Sequence, residues 1–386
     1  MESVGIINDL KLRAGWGIVG NDQISPYAYL GRVGTGANYP FGGITMPGIY
    51  PASIENDKLK WEESKQSNIG VDITVLDSRI NITADAYIKK TSDLLLNAPL
   101  PHSTGFDNAV QNIGELENKG FDFQISSVNI NNELKWNTDF NISFNKNKVT
   151  NLVGQEMVAG EIAGRGDAIL IKEGYSLGTF YGYEFGGVDP ETGQAYYINK
   201  DGESTINPDP DEDRKVIGNA NPDFIYGLTN TFTYKGISLT IFLEGVQGND
   251  MLNASRFETE GMTDPKNQTT AVLDRWRQPG DITDIPASSW GDINNSRIST
   301  RFIEDGSYLR VKTLTLSYQL PENILSKVNI DGIRIYVTGE NLLTFTNYSG
   351  FDPEVNAFGD SNTAFGIDYG TYPQTRNIIF GLNVTF

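Results

Sequence analysis

The sequence predicts an all-β fold, in which about ten antiparallel strands form a segment of a large transmembrane β-barrel with long extracellular loops. Three observations lead there. Ten segments alternate apolar and polar residues with period two, each near the ~10 residues that cross a bilayer as a tilted strand. Short and long connections between these segments alternate strictly. Aromatic residues stand near strand ends on the apolar parity, where the interfaces of a membrane would lie.

The strands follow in order. Leu10, Leu12, Ala14, Trp16 and Ile18 form one face of the first, with Lys11, Arg13, Gly15 and Gly17 behind. The second runs to Asp77 and sets Ile69, Val71, Ile73 and Val75 against Gly70, Asp72 and Thr74. The third places Ile80, Ile82, Ala84, Ala86 and Ile88 opposite Asn81, Thr83, Asp85 and Tyr87. Phe121, Phe123 and Ile125 mark the fourth. The fifth is the sharpest: Leu134, Trp136, Thr138, Phe140, Ile142 and Phe144 alternate with Lys135, Asn137, Asp139, Asn141 and Ser143. Later strands centre on Tyr226 to Tyr234, Ile237 to Val246, Tyr308 to Leu320, Ile333 to Val337 and Asn377 to Phe386. In the strand at Tyr308, Arg310 and Lys312 share parity with Leu314 and Leu316, which predicts a bulge or an exit from the apolar band.

Four connections are tight or moderately short: "LDSR", "NINNE", "YKG" and "PENILSKVNIDG". Between them fall long polar segments, roughly residues 19–58, 97–110, 152–220, 252–302 and 347–376. Membrane barrels close their periplasmic ends with short turns and carry long loops outside, whereas a soluble sandwich has no reason to sort loops by length. On this reading Asp72, Asp85, Asp122, Asp139, Glu244, Lys135 and Arg334 line a polar lumen. Trp16, Trp136, Phe144, Tyr234, Tyr318 and Phe386 belong to interfacial girdles.

Composition narrows the function. The 386 residues carry a formal charge of -19, so no nucleic acid is expected as partner, because phosphate binding needs clustered Lys and Arg. There is no cysteine and one histidine, His102, in a loop tip "PLPHSTG". Thiol catalysis, Ser-His-Asp triads and metal-hydrolase sites therefore lack parts, and no enzyme activity and no cofactor are expected. No apolar run reaches the ~18 residues of a spanning helix, which leaves a barrel open. The start, "MESVGIINDLKLRAG", lacks the basic and apolar regions of a secretion signal.

The strings "WEESKQSNIGVDITVLDSRINITADAYIKKTSDLLL", "NIGELENKGFDFQI", "GYSLGTFYGYEFGGVDPETG", "NPDFIYGLTNTFTYKGISLTIFLEGVQGND", "YLRVKTLTLSYQLP" and "IRIYVTGENLLTFTNYSGFDPE" resemble the C-terminal half of SusC/RagA-type TonB-linked outer-membrane proteins of Bacteroidota. The resemblance runs in order along nearly the whole chain. It implies a barrel of about 22 strands in the bacterial outer membrane that imports oligosaccharides or peptides. It further implies a SusD-like surface lipoprotein as lid and the TonB complex as partner through a plug. Residues 1–386 correspond to the C-terminal part of such a barrel. Signal peptide, plug and N-terminal strands have no counterpart here, so a fragment, a truncated reading frame or one piece of a split protein is expected, not competent to transport alone. In the same family the terminal aromatic strand resembles an assembly signal, a role that would fall on the stretch ending at Phe386. The alternative is a soluble or surface β-rich protein that binds glycans.

Two groups of loop residues are candidates for binding. Asn199, Asp201, Asp209, Asp211 and Asp213 offer oxygens for a metal, but their spacing departs from a calcium loop, and a solvated acidic loop is the ordinary reading. Phe180, Tyr181, Tyr183, Trp290, Tyr348 and Phe351 could stack on sugar rings, and packing between loops explains them equally well. "TAVLDRWRQPGD" reads as a short helix ending before Pro279.

Overall fold

A computed structural model describes residues 6–22, 26–321, 325, 330–359 and 361–386. The alternating segments form ten strands: β1 (Ile7–Asn21), β2 (Glu62–Val75), β3 (Ile80–Ser92), β4 (Glu115–Asn131), β5 (Leu134–Asn151), β6 (Phe224–Tyr234), β7 (Ile237–Gln247), β8 (Tyr308–Gln319), β9 (Gly332–Thr346) and β10 (Asn377–Thr385). Each pairs antiparallel with its neighbours in sequence, giving one ten-stranded meander. Among the described residues, the outer edges of β1 and β10 carry no partner strand.

Turn chemistry explains the tight ends. Lys235 and Gly236, with φ of 47° and 83°, make the two-residue turn between β6 and β7, whose positive φ values match the twist of a hairpin. β2 ends at Val75 and not at Asp77, because Leu76, Asp77 and Ser78 all take positive φ in the turn to β3. Most of the connection between β8 and β9 lies outside the described residues, as do the first five residues.

Register separates two faces. One row across the sheet reads Leu10, Ile73, Ile82, Ile125, Phe140, Leu228, Leu243, Val311 and Leu343. The adjacent row reads Lys11, Asp72, Thr83, Gln124, Asn141, Gly227, Glu244, Arg310 and Thr344. An apolar row beside a polar one, repeated up the strands, suits a wall with lipid outside and water inside. The apolar face carries two aromatic clusters. Trp136 stacks on Phe232 at 5.6 Å near the short-turn end, while Phe121, Phe144, Phe224 and Tyr226 form a chain of ring contacts toward the loop end. Eight residues of β5 separate Trp136 from Phe144, about 26 Å along the strand.

Close approach between strands uses glycine. Tyr87, Tyr226 and Tyr336 each fill the space over a cross-strand glycine; a Cβ at Gly120, Gly245 or Gly381 would come within 2.2, 2.2 and 2.0 Å of the ring. The bulge expected near Arg310 is present. Leu243 pairs with Val311 and Phe242 with Thr313, so Lys312 is skipped, and the pairing with β9 shifts at the same place.

The buried apolar core lies in the loops. After β5, a four-stranded sheet of Met157–Glu161, Asp167–Ile171, Thr179–Gly182 and Lys215–Asn219 packs beside the connections after β7 and β9. Ile169 and Phe180 from the first connection, Leu252, Phe257 and Phe302 from the second, and Ala364 and Ile367 from the third make one cluster. Phe257 meets Phe302 edge-on at 4.7 Å. A five-residue helix, Ser255–Thr259, begins here, and the expected helix at "TAVLDRWRQPGD" is a 3₁₀ turn limited to Thr270–Asp274. By contrast the described residues of the β1–β2 loop make only two small ladders, Val33–Thr35 with Ile49–Pro51 and Tyr39–Phe41 with Ile44–Met46.

Candidate functional site

The bulge at Lys312 has a chemical consequence. By skipping one residue, β8 turns Arg310 to the lumen side, opposite Glu244, instead of leaving its charge on the lipid side. Arg310 is 1% exposed, and its donors are used. Nε donates to Thr344 Oγ1 at 3.0 Å, Nη2 to Asp352 Oδ1 at 2.6 Å, and Nη1 to the Glu354 carboxylate. Lys312 adds ion pairs to Glu244 at 3.0 Å and Glu354 at 3.5 Å. Asp352 also accepts the amides of Glu354 and Gln374, both at 2.9 Å. One carboxylate thus joins the wall to both arms of the β9–β10 loop. A buried ion pair contributes little net stability, but removing one partner leaves a costly unpaired charge.

Beside this junction lies a cavity of about 430 Å³, bounded by Asn141, Gly227, Phe242, Glu244, Asn249 and Glu354. Gly227 keeps it open, since a Cβ there would lie 2.9 Å from Asn141 Nδ2. Asn249 is buried, and its side-chain oxygen accepts no hydrogen bond among the described residues. The cavity offers acceptors on one wall and the Phe242 ring on another, a combination that suits a polar solute with an apolar side. One lumen row nearer the loops in register, Arg13 bridges Asp72 at 2.9 Å and Asp85 at 2.7 Å, and Ser143 donates to Asp122.

The ring candidates divide into two groups. Phe180 is fully buried in the packed loop core, the cap over the wall, Tyr183 packs on Tyr197 at 5.6 Å, and Tyr348 donates to Asp368 at 2.8 Å in a buried pair. Burial, with Asp368 adding to it, raises the Tyr348 phenol above its ordinary range. Tyr181 lies under the Arg214 guanidinium at 4.4 Å. Trp290 and Phe351 remain exposed, at 77% and 89%, and Phe351 immediately precedes Asp352.

The acidic candidates serve the backbone of their own loop. Asn199 accepts the amides of Asp201 and Glu203, and Asp209 those of Asp211 and Glu212. Asp213 accepts the amides of Lys200 and Asp209 at 2.9 and 2.7 Å, which holds its carboxyl below the usual range. Among the described residues no three His, Cys, Asp or Glu side chains gather closely enough to hold a metal ion. His102 sits in a turn at the tip of the β3–β4 loop, fully exposed. Arg310, Asp352 and Glu354 were not among the sequence candidates. The available signal was the two cations on the apolar parity of β8.

Comparison with known proteins bears on this arrangement. The family described as "TonB dependent receptor-like, beta-barrel" matches residues 3–342. TonB-dependent receptor P3 of Formosa agariphila is 37% identical over 404 aligned residues, covering 98% of this chain and 40% of its own length. TonB-dependent receptor SusC of Bacteroides thetaiotaomicron is 30% identical, covering 100% of this chain and 38% of its own. Among solved structures, the RagAB peptide transporter superposes with a TM-score of 0.84 at 26% identity, over 100% of this chain and 42% of that one. The chain spans about 40% of the length of the curated relatives it matches. These matches favour the barrel over a soluble glycan-binding protein, and the family is one of transporters and not an enzyme class. The chain belongs to the TonB-dependent receptor-like β-barrel family, in its SusC/RagA branch, and its ten strands are a wall in the bacterial outer membrane.

Proposed function

We propose that this chain is the C-terminal wall and outer cap of a TonB-dependent importer of oligosaccharides or peptides, and that it works only within a larger barrel. The observation that carries the reading is the pairing of an ion-paired polar lumen face with a packed loop cap anchored to it through Arg310 and Asp352. Three features support the need for further strands, a plug and a TonB-binding segment. Among the described residues two strand edges are open, unsatisfied edge groups cannot face lipid, and the relatives extend well beyond the aligned region. A SusD-like surface lipoprotein as lid and TonB as the energy link follow from the likeness to SusC and to RagAB, the latter described as a peptide transporter. Asn199, Asp209 and Asp213 act in this reading as turn-capping acceptors of an outer loop, with Asp201 and Asp211 donating backbone amides to them, and not as a metal site.

The test has two arms. Deleting the gene that encodes this chain should abolish growth on at least one defined oligosaccharide or peptide source while leaving monosaccharide or amino-acid growth intact. The purified 386-residue chain should give no conductance in planar bilayers. Uptake or conductance by that chain alone would overturn the claim that it needs a larger barrel, and unchanged growth on every polymer would overturn the importer reading.

A further inference from the structure

On the lipid-facing parity of β2 to β5, chemistry changes abruptly above the upper aromatic row. One row contains Ile69, Ala86, Phe121 and Phe144. Two residues further toward the loops, about 6 to 7 Å along the strands, Lys119 stands directly opposite Lys146. The next row on the same face brings together Lys65, Lys90, Glu117 and Lys148. No register shift intervenes between Phe121 and Glu117 or between Phe144 and Lys148, so all five lysines share the side of the apolar band.

Two glutamates temper the patch. Glu117 pairs with Lys119 at 2.6 Å and Lys90 at 3.6 Å, and Glu63 pairs with Lys65 at 2.5 Å. Among the described residues neither Lys146 nor Lys148 has an ion-pair partner, and both are exposed. The patch is therefore locally basic on a chain whose formal charge is -19. Beside it, Lys146 and Lys148 border a cavity of about 550 Å³ whose other walls include Asn145, Tyr175, Asn219 and the carboxylates of Asp223 and Asp250.

Position selects the partner. The patch lies at the long-loop end, which in such barrels is the outer side, and just above an aromatic girdle, where lipid headgroups sit. A soluble acidic protein could not reach a surface flush with the apolar band, whereas the lipid beside the wall meets it unavoidably. Lysine ammonium groups bind phosphate as point charges, whereas a cavity lined by amides and two carboxylates suits sugar hydroxyls and leaves the phosphates to the lysines. We propose that Lys65, Lys90, Lys119, Lys146 and Lys148 form a collar that binds the phosphate groups of an outer-leaflet glycolipid, with part of its sugar headgroup entering the cavity beside Tyr175.

The test uses the outer-membrane protein that contains this chain, purified in detergent, with native mass spectrometry as readout. Lipid A in mixed micelles should remain bound to the protein. Enzymatically dephosphorylated lipid A should bind at least about tenfold more weakly, the loss expected when charge-assisted bonds are removed. Inorganic phosphate at the same concentration should neither bind nor compete. The quadruple variant Lys90→Gln, Lys119→Gln, Lys146→Gln, Lys148→Gln should lose lipid A to the level of the dephosphorylated lipid. A control, Lys58→Gln with Lys172→Gln, should retain it, and a heat-modifiable gel shift reports that each variant is folded. Equal binding of both lipids, retention by the folded quadruple variant, or competition by free phosphate would each overturn the proposal. If the quadruple variant does not fold, Lys146→Gln with Lys148→Gln alone should still reduce lipid A binding severalfold, and no reduction would count against the collar.

Discussion

The wall and the cap use apolar residues in opposite senses. In the wall, Leu12, Ile69, Phe380 and Leu382 are more than half exposed, because their partner is lipid and not protein. In the cap, Ile169, Phe257, Leu252 and Ile367 are fully buried, as in a water-soluble domain. The wall is made of strands of 9 to 18 residues joined to their sequence neighbours. The cap is made of strands of two to five residues contributed by three loops far apart in the chain. One chain therefore carries two folding problems, and the medium that stabilises one is irrelevant to the other.

The largest effect expected from this contrast is in the cap. Phe257→Ala should cost about 3 to 5 kcal/mol of cap stability, and that cost should be the same in detergent and in a bilayer; denaturant titration with a probe in the cap would measure both. A dependence on the amphiphile would mean that Phe257 faces lipid. The second effect tests the fastening between the regions. Arg310→Met leaves Asp352 buried without its cation, a loss of about 3 to 5 kcal/mol, and it should open the β9–β10 loop to limited proteolysis. Arg310→Met with Asp352→Leu should recover much of the protection. If the double variant is as labile as the single one, the junction is not an ion-pair problem.

The third effect belongs to the wall. Phe140, midway between the two aromatic clusters, should not tolerate charge: Phe140→Arg should cost about 2 to 4 kcal/mol in the assembled barrel, whereas a charge at the neighbouring lumen position, Asn141→Asp, should be tolerated. Equal costs at the two positions would contradict the face assignment. The smallest effect is a pH dependence confined to the acidic loop. The Asp213 carboxyl is held below its usual range by the Lys200 and Asp209 amides. Its contribution is therefore complete above the ordinary carboxylate range and is lost as pH falls through the lowered folded value. Hydrogen exchange at Lys200 and Asp209, corrected for intrinsic rate, should be constant from neutral to about pH 5 and accelerate at more acidic pH. Asp213→Ala should remove that dependence while leaving the wall unchanged.

These two regions also differ in how far they can be read from sequence. Period two is a local signal, so the strand from Leu134 to Phe144 announces its faces without any knowledge of its neighbours. Even the break in parity at Arg310 and Lys312 was legible as a bulge. What it accomplishes was not, because Asp352 and Glu354 lie some forty residues away in a loop with no periodicity. Phe180, Tyr183 and Tyr348 fit sugar stacking and loop packing equally well in sequence for the same reason: an aromatic in a long polar loop gives no sign of whether a partner loop will cover it. Asn199, Asp209 and Asp213 offer oxygens that a metal could take, and their short side chains instead satisfy amides two to four residues away, with Asp213 reaching back to Asp209 and to the more distant amide of Lys200. The cap core needs residues from all three loops at once, and pairings of that range leave no mark on local composition.

Which side of the wall is wet decides every assignment of lumen and lipid face. The chain contains no cysteine, so in a bilayer-embedded barrel with no cysteine elsewhere, single substitutions Thr138→Cys through Ser143→Cys in β5 can each carry one nitroxide. Collision with oxygen should dominate at 138, 140 and 142, and collision with a water-soluble nickel chelate at 139, 141 and 143. A uniform profile along β5, or the inverse alternation, would contradict an apolar outer face and a polar lumen.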